Sequence, residues 1–319
     1  MTRPLRIGVL GCADIARRRM LPAFAAHPGT EPVAVASRDR ARAAALAEEY
    51  GCRAVHGYAE LLADDAVDAV YVPLPPALHE EWTETALRAG KHVLAEKPLT
   101  LDPVRTAALA ALARERGLAL MENVMFVHHP QHTAVRELVA KGAIGEPRAF
   151  HAVFTLPRRQ AGDIRLRPEL GGGALWDAGV YPVRAALHLL GPELRVVGAT
   201  VSRGPGDAVD TAGAALARTP GGVGVQLSFG LDHAYRNFYE IWGTEGTITV
   251  DRAFTPPAGH RPVLRLTGPA GSGTVDLAPA DQVAATVGAF VAAVRAGASL
   301  DADALRQAQL LEEIRHLAG

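Results

Sequence analysis

The sequence predicts an α/β fold with two domains: a doubly wound parallel sheet first, then an α+β domain built on an open, largely antiparallel sheet. Three observations predict it. Short apolar runs alternate with helical patterns, a turn containing glycine follows the first apolar run, and apolar residues recur with period two after Phe150. A chain of 319 residues is long enough for two hydrophobic cores. We expect the domains to be residues 1–122 and 123–319.

Strands and helices alternate through the first domain. Strands are predicted at residues 7–10, 33–36, 69–72 and 92–95. Helices are predicted at residues 15–24, 40–49 and 77–88, and Gly51 and Gly90 end the last two. Strands that are apolar throughout suit a sheet covered on both faces, and the helices between them supply right-handed crossovers.

The second domain has more Gly and Pro and a different periodicity. Residues 224–229 and 247–250 alternate between apolar and polar side chains, which predicts antiparallel strands. Two apolar helices are predicted at residues 282–295 and 302–317. These C-terminal helices are expected either to stay with the second domain or to pack back on the first.

Composition narrows the class of partner. Charged residues interrupt every apolar stretch short of the roughly 20 residues that a membrane helix needs. The net charge is -1 and the basic residues are scattered, which gives no footprint for a nucleic acid. The first residues show no signal peptide, so a cytoplasmic protein is expected. Cys12 and Cys52 lack CxxC partners and are expected to be ordinary small residues, so the expected partner is a small molecule.

The turn after the first strand is a candidate dinucleotide site. It carries Gly11, Ala13 and Ala16 where the fingerprint has three glycines. The site requires a tight turn and a helix N-terminus whose free N–H groups face a pyrophosphate. A turn without a ligand is the alternative. The residues expected to contact the dinucleotide are Gly11, Cys12, Ala13, Asp14 and Ile15.

The end of the second strand favours NADP over NAD. An NAD site has an acidic residue there for the ribose hydroxyl, whereas this strand ends in Ser37 and Arg38. A hydroxyl followed by a guanidinium suits a 2'-phosphate, because arginine forms paired, charge-assisted hydrogen bonds with phosphate. The alternative is that Arg38 is a solvated residue at a helix start that Asp39 caps.

Two further segments carry a specific resemblance. Residues 72–79 read VPLPPALH, and residues 89–99 read AGKHVLAEKPL. They resemble the family of glucose-fructose oxidoreductase, inositol dehydrogenase and MocA, and the resemblance extends over nearly the whole chain, most strongly over residues 5–185. It implies that the first domain is a Rossmann domain and that the lysine of the Glu-Lys-Pro triplet lies beside the nicotinamide. The further cofactor contacts that it implies are Pro73, Leu74, His79, Glu96 and Lys97.

Lys97 also has a chemical role that does not depend on the resemblance. A ketone that receives a hydride develops negative charge on oxygen, and a fixed ammonium stabilises that charge in a water-poor cleft. Pro98 restricts the backbone of Lys97, which limits where the side chain can point. The alternative is a surface lysine after a strand.

Residues 171–181, GGGALWDAGVY, resemble the glycine-rich loop and following helix of the same family. Asp177 and Tyr181 stand four apart, which on a helix places them on one face. Many dehydrogenase members have His where Tyr181 stands. The resemblance is therefore to the members with Tyr, which include xylose and dihydrodiol dehydrogenases and the sugar 3-ketoreductases of deoxysugar biosynthesis.

Tyr181 suits the role of proton donor. A phenol with a pKa of about 10 is a poor base at neutral pH but a usable acid, and Lys97 would lower that pKa. The alternative is a half-buried aromatic side chain that anchors the helix. Asp177 is expected to orient Lys97, to bind a sugar hydroxyl or to cap local backbone.

Other substrate contacts are expected around the segment HHPQH at residues 128–132, which lies by the substrate in the resembling 3-ketoreductases. Pro130 is expected to begin a helix and to leave His128 in a loop, which argues against a metal site; structural packing is the alternative. Arg165 is expected to hold a diphosphate or to be an ordinary loop arginine. The predicted substrate-binding residues are Asn123, Phe126, His128, Arg165, Asp177 and Tyr181, and no metal is expected.

The expected function is NADPH-dependent reduction of a keto group, at C-3, of a nucleotide-linked deoxysugar. In this reaction Lys97 polarises the carbonyl and Tyr181 donates the proton. One alternative is NADP-dependent oxidation of a free aldose or a dihydrodiol by the same residues, and another is a non-catalytic binder that senses a dinucleotide. The resemblance also implies a homodimer or homotetramer joined through the open sheet face.

Overall fold

The computed structural model describes residues 3–160, 162–269 and 271–319. Contacts divide these residues into two compact units. The first contains the described residues up to Val124 together with Val283–Asp301, and the second contains those of Met125–Gln282 together with Ala302–Gly319. The predicted fold class is confirmed, because the first unit holds a parallel sheet and the second a largely antiparallel one.

Six parallel strands form the sheet of the first unit. They are β1 Leu5–Leu10, β2 Thr30–Ser37, β3 Arg53–His56, β4 Ala69–Val72, β5 His92–Glu96 and β6 Leu120–Asn123. Their order is β3-β2-β1-β4-β5-β6, so the direction of winding reverses between β1 and β4. In doubly wound sheets, ligands bind outside the carboxyl ends of the strands at this switch point. The turns after β1, β2, β4 and β5 therefore lie where a ligand is expected.

Helices connect these strands. They are α1 Leu21–Ala26, α2 Arg40–Glu49, α3 Tyr58–Leu62, α4 His79–Arg88 and α5 Pro103–Glu115. A π-helical turn, Ala16–Met20, leads into α1. The strand residues Val70, Val72 and Val93 are fully buried in a core shared with Leu87 of α4 and Leu109 of α5. This burial accounts for the continuous apolar runs in the sequence.

The sequence pattern did not predict β3 and β6, and each has a physical reason. Arg53 and His56 of β3 are exposed because this strand is at the edge of the sheet, so it lacks an apolar run. The strand β6 ends in Glu122 and Asn123, which are polar but buried. Their burial depends on hydrogen bonds to other strands and loops, which a hydropathy pattern does not reveal.

The second unit is built on a sheet of eight strands. They are β7 Pro147–Thr155, β8 Arg195–Ser202, β9 Ala212–Arg218, β10 Gly224–Gly230, β11 Arg236–Gly243, β12 Thr247–Asp251, β13 Val263–Gly268 and β14 Gly271–Asp276. Their order is β14-β13-β12-β11-β7-β10-β9-β8, and only the pairing of β7 with β10 is parallel. The two predicted strands correspond to β10 and β12.

The helices of the second unit are α6 Pro130–Ala140, α7 Val180–Leu190 and α9 Ala302–Leu317, whereas α8 Gln282–Ala296 precedes α9 in the chain. Helix α7 packs against β7 and β10, and α9 packs against β8 and α7. Contacts assign most of α8 to the first unit and α9 to the second, so the two C-terminal helices belong to different units. The domain limit at residue 122 stays a prediction.

In residues 3–160, 162–269 and 271–319, no helix is both long and apolar enough to span a bilayer. The same part of the chain holds no cluster of three or more His, Cys, Asp or Glu side chains arranged to ligate a metal.

Candidate active site

The turn after β1 is compact and closely packed. Gly11 has a φ of 116°, which favours glycine, and a Cβ at this position would lie 3.0 Å from Leu74 Cδ2. The Gly11 N–H donates to the Ala36 carbonyl oxygen at 2.8 Å, which joins the turn to β2. Cys12 and Ala13 are partly exposed beyond it. The turn is therefore accessible where its backbone enters the next helix, which is where a pyrophosphate would bind.

The remaining residues of the turn begin that helix. Asp14 is exposed, and Ile15 is partly buried just before the π-helical turn. An arginine that the sequence reasoning did not single out reaches the same turn, because Arg42 Nη2 donates to the Cys12 carbonyl oxygen at 3.1 Å. Arg42 lies four residues after Arg38, at the start of α2. The run of arginines at positions 38, 40 and 42, just after the strand end, was the signal that could have identified it.

The end of β2 carries the hydroxyl group of Ser37 and, directly after it, the guanidinium group of Arg38. Ser37 is buried and its Oγ accepts from the Asp39 N–H at 3.1 Å, whereas Arg38 is exposed. Asp39 Oδ1 accepts from the N–H groups of Ala41 and Arg42, at 2.8 and 3.2 Å. The carboxylate is thus the N-cap of α2. Asp39 therefore caps α2, and Arg38 is exposed at the strand end, where its contact with a 2'-phosphate stays a prediction.

The loops after β4 and β5 hold the Glu-Lys-Pro triplet. The Lys97–Pro98 peptide bond is cis. His79, the first residue of α4, is completely buried, with Nε2 2.6 Å from the Leu74 carbonyl oxygen and Nδ1 2.7 Å from the Pro98 carbonyl oxygen. Pro73 and Leu74 are also buried. Both ring nitrogens of His79 face backbone carbonyl oxygens, and its predicted contact with the cofactor stays a prediction.

Glu96 is held by two side chains from the neighbouring strands. Its Oε1 accepts from the Tyr71 hydroxyl and from Asn123 Nδ2, both at 2.6 Å. Burial, together with the Glu96 carboxylate, holds the pKa of Tyr71 well above its ordinary value, so the phenol remains a donor. Asn123, predicted to bind substrate, thus directs its amide to Glu96. The sequence reasoning missed Tyr71, because a tyrosine within a buried strand gives no separate signal.

In the second unit, the glycine-rich loop passes very close to other backbone and side chains. Gly173 has a φ of 128°, and a Cβ there would lie 2.4 Å from Asp210 Oδ1. Asp210 Oδ2 accepts from the Leu175 N–H at 2.7 Å, and its carbonyl oxygen accepts from the Ala174 N–H at 2.8 Å. Burial raises the pKa of Asp210, and the N–H of Leu175 opposes that shift. This carboxyl group anchors the start of the next helical segment.

That segment begins with a second π-helical turn, Leu175–Gly179, before α7. The prediction that Asp177 and Tyr181 share a face assumed a regular helix, and that assumption is wrong for this turn. Four residues make slightly more than one turn of an α-helix, whereas hydrogen bonds spanning five residues make them slightly less than one turn. The two side chains are still about one turn apart. Relative to a regular α-helix, the rotation about the helix axis from Asp177 to Tyr181 falls slightly short of a full turn and does not exceed it.

Asp177 takes part in an ion pair with Arg165. Arg165 Nε donates to Asp177 Oδ2 at 2.8 Å, and Arg165 Nη1 donates to Asp163 Oδ1 at 3.2 Å. The Asp177 carboxylate, with Asp163, raises the pKa of the Arg165 guanidinium. Arg165, predicted to contact a diphosphate, is therefore directed to two carboxylates. Sequence reasoning missed Asp163, although an acidic residue two positions before the arginine was a visible signal.

Tyr181 lies in an aromatic cluster. Its ring centroid is 4.4 Å from that of Phe154, 5.8 Å from that of Phe254 and 6.1 Å from that of Phe126. Phe126 is fully buried, whereas Tyr181 is partly exposed. The cluster fixes the ring plane, so the hydroxyl at the ring edge has little rotational freedom. Of these aromatic residues, the sequence reasoning had named only Phe126 and Tyr181.

In the histidine segment, residues 128–132, two of the three histidines make contacts that stabilise the local fold. Pro130 begins α6 as predicted, and His129 caps it by accepting from the Gln131 N–H at 3.2 Å. His132 is buried, with Nδ1 2.9 Å from the Tyr239 hydroxyl, and burial holds its pKa well below the ordinary value. His128, the predicted substrate contact, is only partly buried. The structure therefore supports the packing alternative for His129 and His132.

Comparison with known families identifies the chain. Residues 5–124 match an oxidoreductase family with an NAD-binding Rossmann fold, and residues 132–249 match the GFO/IDH/MocA C-terminal domain. The chain belongs to the Gfo/Idh/MocA oxidoreductase family. The resemblance drawn from residues 72–99 and 171–181 is thereby confirmed.

Individual members of the Gfo/Idh/MocA family are similar along the whole chain. A dTDP-3,4-didehydro-2,6-dideoxy-alpha-D-glucose 3-reductase from Streptomyces violaceoruber is 57% identical over 99% of this chain and 96% of its own. A 3-ketoreductase from Actinomadura kijaniata, crystallised with NADP and TDP-benzene, is 50% identical with a TM-score of 0.96, and the match covers 98% of each chain. A D-xylose 1-dehydrogenase (NADP(+)) from Haloferax volcanii is 37% identical over 92% of this chain and 90% of its own.

The Actinomadura kijaniata enzyme has also been crystallised as variants. In one a tyrosine is replaced by phenylalanine, and in two others a lysine is replaced by alanine or by glutamate. That lysine and that tyrosine lie as far apart in their chain as Lys97 and Tyr181 lie in this Gfo/Idh/MocA protein.

Proposed function

We propose that this chain is an NADPH-dependent reductase of the C-3 keto group of a dTDP-linked 3,4-didehydro-2,6-dideoxyhexose. The observation that carries the proposal is the 57% identity, over nearly the full length of both chains, to the Streptomyces violaceoruber 3-reductase. The xylose dehydrogenase is also similar, but at 37% identity. The identity therefore favours a nucleotide-linked substrate over a free aldose.

The turn after β1 and the end of β2 fit NADPH. Gly11 allows close approach of backbone to a pyrophosphate, and the helix that begins at Asp14 directs N–H groups toward it. Ser37 and the exposed Arg38 offer a hydroxyl and a guanidinium to a 2'-phosphate, while the Asp39 carboxylate is engaged in capping α2. The Actinomadura kijaniata 3-ketoreductase was crystallised with NADP, which supports the same cofactor here. When bound, NADPH supplies the hydride.

Lys97 polarises the C-3 carbonyl in this proposal. Reduction moves negative charge onto the carbonyl oxygen, and an ammonium held next to it lowers the energy of the transition state. Lys97 follows Glu96, whose carboxylate is fixed by Tyr71 and Asn123, and precedes Pro98, whose carbonyl oxygen contacts His79. The backbone on both sides of Lys97 is therefore well defined, which suits a residue that must hold a charge in one place.

Tyr181 donates the proton to the developing alkoxide. The aromatic cluster of Phe126, Phe154 and Phe254 holds its ring, and the phenol provides an acidic O–H at the ring edge. Asp177 is paired with Arg165, so we assign it the role of orienting substrate and the glycine-rich loop, and not that of a proton carrier. The spacing of the lysine and tyrosine replaced in the Actinomadura kijaniata enzyme supports the roles of Lys97 and Tyr181.

Location and assembly remain proposals. We expect a cytoplasmic enzyme that forms a homodimer or a homotetramer through one face of the eight-stranded sheet. This face has a groove lined by residues of five neighbouring strands, including His151, Ser228 and Phe238. An accessible sheet face with apolar side chains favours association with a second copy. Sedimentation of the purified protein would distinguish a monomer from either oligomer.

A labelled-hydride assay tests the function. The purified chain is incubated with NADPH deuterated at C-4 of the nicotinamide, on either face in separate reactions, and with the enzymatically generated 3,4-diketo sugar nucleotide. We expect NADPH consumption and a product that carries deuterium at C-3 in one of the two reactions. Deuterium at another carbon would contradict the regiochemistry. Faster oxidation of D-xylose or a dihydrodiol with NADP than reduction of the sugar nucleotide would contradict the substrate class.

A further inference from the structure

His79 makes an unusual pair of contacts. It is the first residue of α4 and is completely buried in the first unit. Its Nε2 lies 2.6 Å from the carbonyl oxygen of Leu74, and its Nδ1 lies 2.7 Å from the carbonyl oxygen of Pro98. Both distances are shorter than those of most N–H···O hydrogen bonds in proteins. Each ring nitrogen therefore faces an atom that can only accept.

The two contacts limit the protonation state of the ring. A neutral imidazole carries one N–H, and its other nitrogen presents a lone pair. In that state one carbonyl oxygen would face a lone pair at hydrogen-bonding distance in a buried position, where an unsatisfied polar contact is costly. An imidazolium has a donor for each oxygen, and hydrogen bonds from an ionised donor are short and strong. The geometry thus favours the charged ring.

We propose that His79 is a buried imidazolium that donates to the Leu74 and Pro98 carbonyl oxygens at once, and that it is a positioning residue for Lys97. The first contact lies in the loop after β4 and the second in the loop after β5, so His79 joins two loops at the carboxyl edge of the sheet. Pro98 is bonded directly to Lys97, and Leu74 packs close to Gly11 of the dinucleotide turn. The positioning role rests on the proposed function, whereas the protonation state does not.

Several groups act on the charge of His79. Burial is the largest effect and leaves the pKa of the imidazole below its ordinary value, although the carbonyl oxygens of Pro98 and Leu74 act in the opposite direction. The nearby Glu96 carboxylate favours the charged ring, and the Lys97 ammonium disfavours it. The contact distances decide between these effects, because both oxygens approach as closely as acceptors of charge-assisted hydrogen bonds do.

His92 provides a matched comparison in the same unit. It is partly buried, and its Nδ1 accepts from the Ala119 N–H at 2.9 Å, so this nitrogen carries no proton. Burial lowers the pKa of His92 as well. His92 must therefore be the neutral tautomer with its proton on Nε2. Two histidines of one unit are thus expected to differ in proton count because their backbone partners differ.

Nitrogen NMR of the intact protein tests the proton count. The chain contains 12 histidines, and labelling them with ¹⁵N at both ring nitrogens allows each ring to be classified as an imidazolium or as one of the two neutral tautomers. At neutral pH we expect an imidazolium pattern for His79, with two slowly exchanging N–H protons, and the neutral Nε2–H pattern for His92. The His79→Gln variant assigns the signals, and contacts of the ring protons with Leu74 assign them if that variant does not fold. A neutral pattern for His79 would overturn the inference, whatever the activity.

Kinetics and cofactor binding test the positioning role. His79→Gln retains an amide donor for one carbonyl oxygen, whereas His79→Leu retains none. We expect single-turnover hydride transfer at saturating substrate to fall about tenfold in the first variant and about a hundredfold in the second, with NADPH fluorescence titration showing smaller losses. His92→Gln should leave both quantities nearly unchanged. Equal hydride-transfer rates in folded wild-type, His79→Gln and His79→Leu protein would overturn the positioning role, even if both variants melted earlier.

These outcomes remain distinct from those of the function test. If the wild-type protein does not reduce the 3-keto sugar nucleotide, the proposed function fails. The NMR result still decides the protonation state of His79, and NADPH titration of the two variants still decides whether it shapes the cofactor site. A neutral His79 ring in the wild-type protein, together with unchanged NADPH affinity in both His79 variants, would overturn both parts of the inference.

Discussion

The two regions that supply the proposed catalytic residues are held in different ways. In the first unit, Lys97 follows the end of a buried parallel strand, and its neighbours Glu96 and Pro98 are bound by side chains from the adjacent strands and from the start of α4. In the second unit, Asp177 and Tyr181 lie on a π-helical turn and helix whose start is anchored by Asp210, a residue more distant in sequence. A side chain at a strand end is positioned by the sheet itself. A side chain on an irregular helical turn needs contacts from elsewhere in the chain.

The largest effect in this comparison is expected from Lys97→Met, which removes the charge at the strand end. Turnover should fall by about a hundred- to a thousandfold, because the ammonium acts on charge that develops only in the transition state. NADPH affinity should stay nearly the same. Steady-state kinetics and NADPH fluorescence titration measure the two quantities, and the control is Lys141→Met, at the exposed lysine that follows α6. Unchanged turnover in Lys97→Met would show that the Lys97 side chain has only a structural role.

The second effect concerns the aromatic cluster of the other unit. Tyr181→Phe keeps the ring packed against Phe154 and removes only the hydroxyl. The single-turnover hydride-transfer rate should fall about a hundredfold, which is typical when a general acid is lost, with little change in melting temperature. Tyr235→Phe, at an exposed tyrosine of the same unit, should have no such effect. A normal rate combined with a lower melting temperature would show that Tyr181 only anchors the helix.

A smaller effect is expected at the cofactor end of the first unit. Arg38→Ala should weaken NADPH binding about ten- to a hundredfold and leave NADH binding nearly unchanged, because only NADPH carries the 2'-phosphate. Arg40, an exposed arginine two residues further along the chain, gives a matched control in Arg40→Ala. Equal losses for the two cofactors would contradict the assignment of Arg38. A loss confined to Arg42→Ala would move the phosphate contact to the arginine that reaches Cys12.

The smallest effect sharpens the difference between the two units. Asp210→Ala removes the acceptor for the Leu175 N–H, which should lower the free energy of unfolding by about 1–3 kcal/mol. Asp210→Asn retains an acceptor oxygen and should lose less. Because the anchored turn carries Asp177, we also expect a higher KM for the sugar nucleotide in the alanine variant. Chemical denaturation and steady-state kinetics measure these changes. Equal stability of all three proteins would show that the π-helical turn does not depend on this carboxyl group.

The sequence by itself determined the fold class, the cofactor turn and the main candidate residues. Buried parallel strands require continuous apolar runs, and the turns between them require residues such as Gly11, so both leave local patterns. The end of β2 could be interpreted for the same reason, because Ser37 and Arg38 follow the last buried position directly. The Glu-Lys-Pro triplet is likewise a continuous segment.

Only the tertiary structure decided which groups these residues contact. The pairing of Arg165 with Asp177 and the anchoring of Leu175 by Asp210 join separate segments, and the two carbonyl partners of His79 belong to two different loops. The two edge strands that lack an apolar run, β3 and β6, were likewise identified only from the tertiary structure. Hydropathy records whether a side chain is buried but not which polar atom satisfies it, since that partner depends on how distant parts of the chain meet.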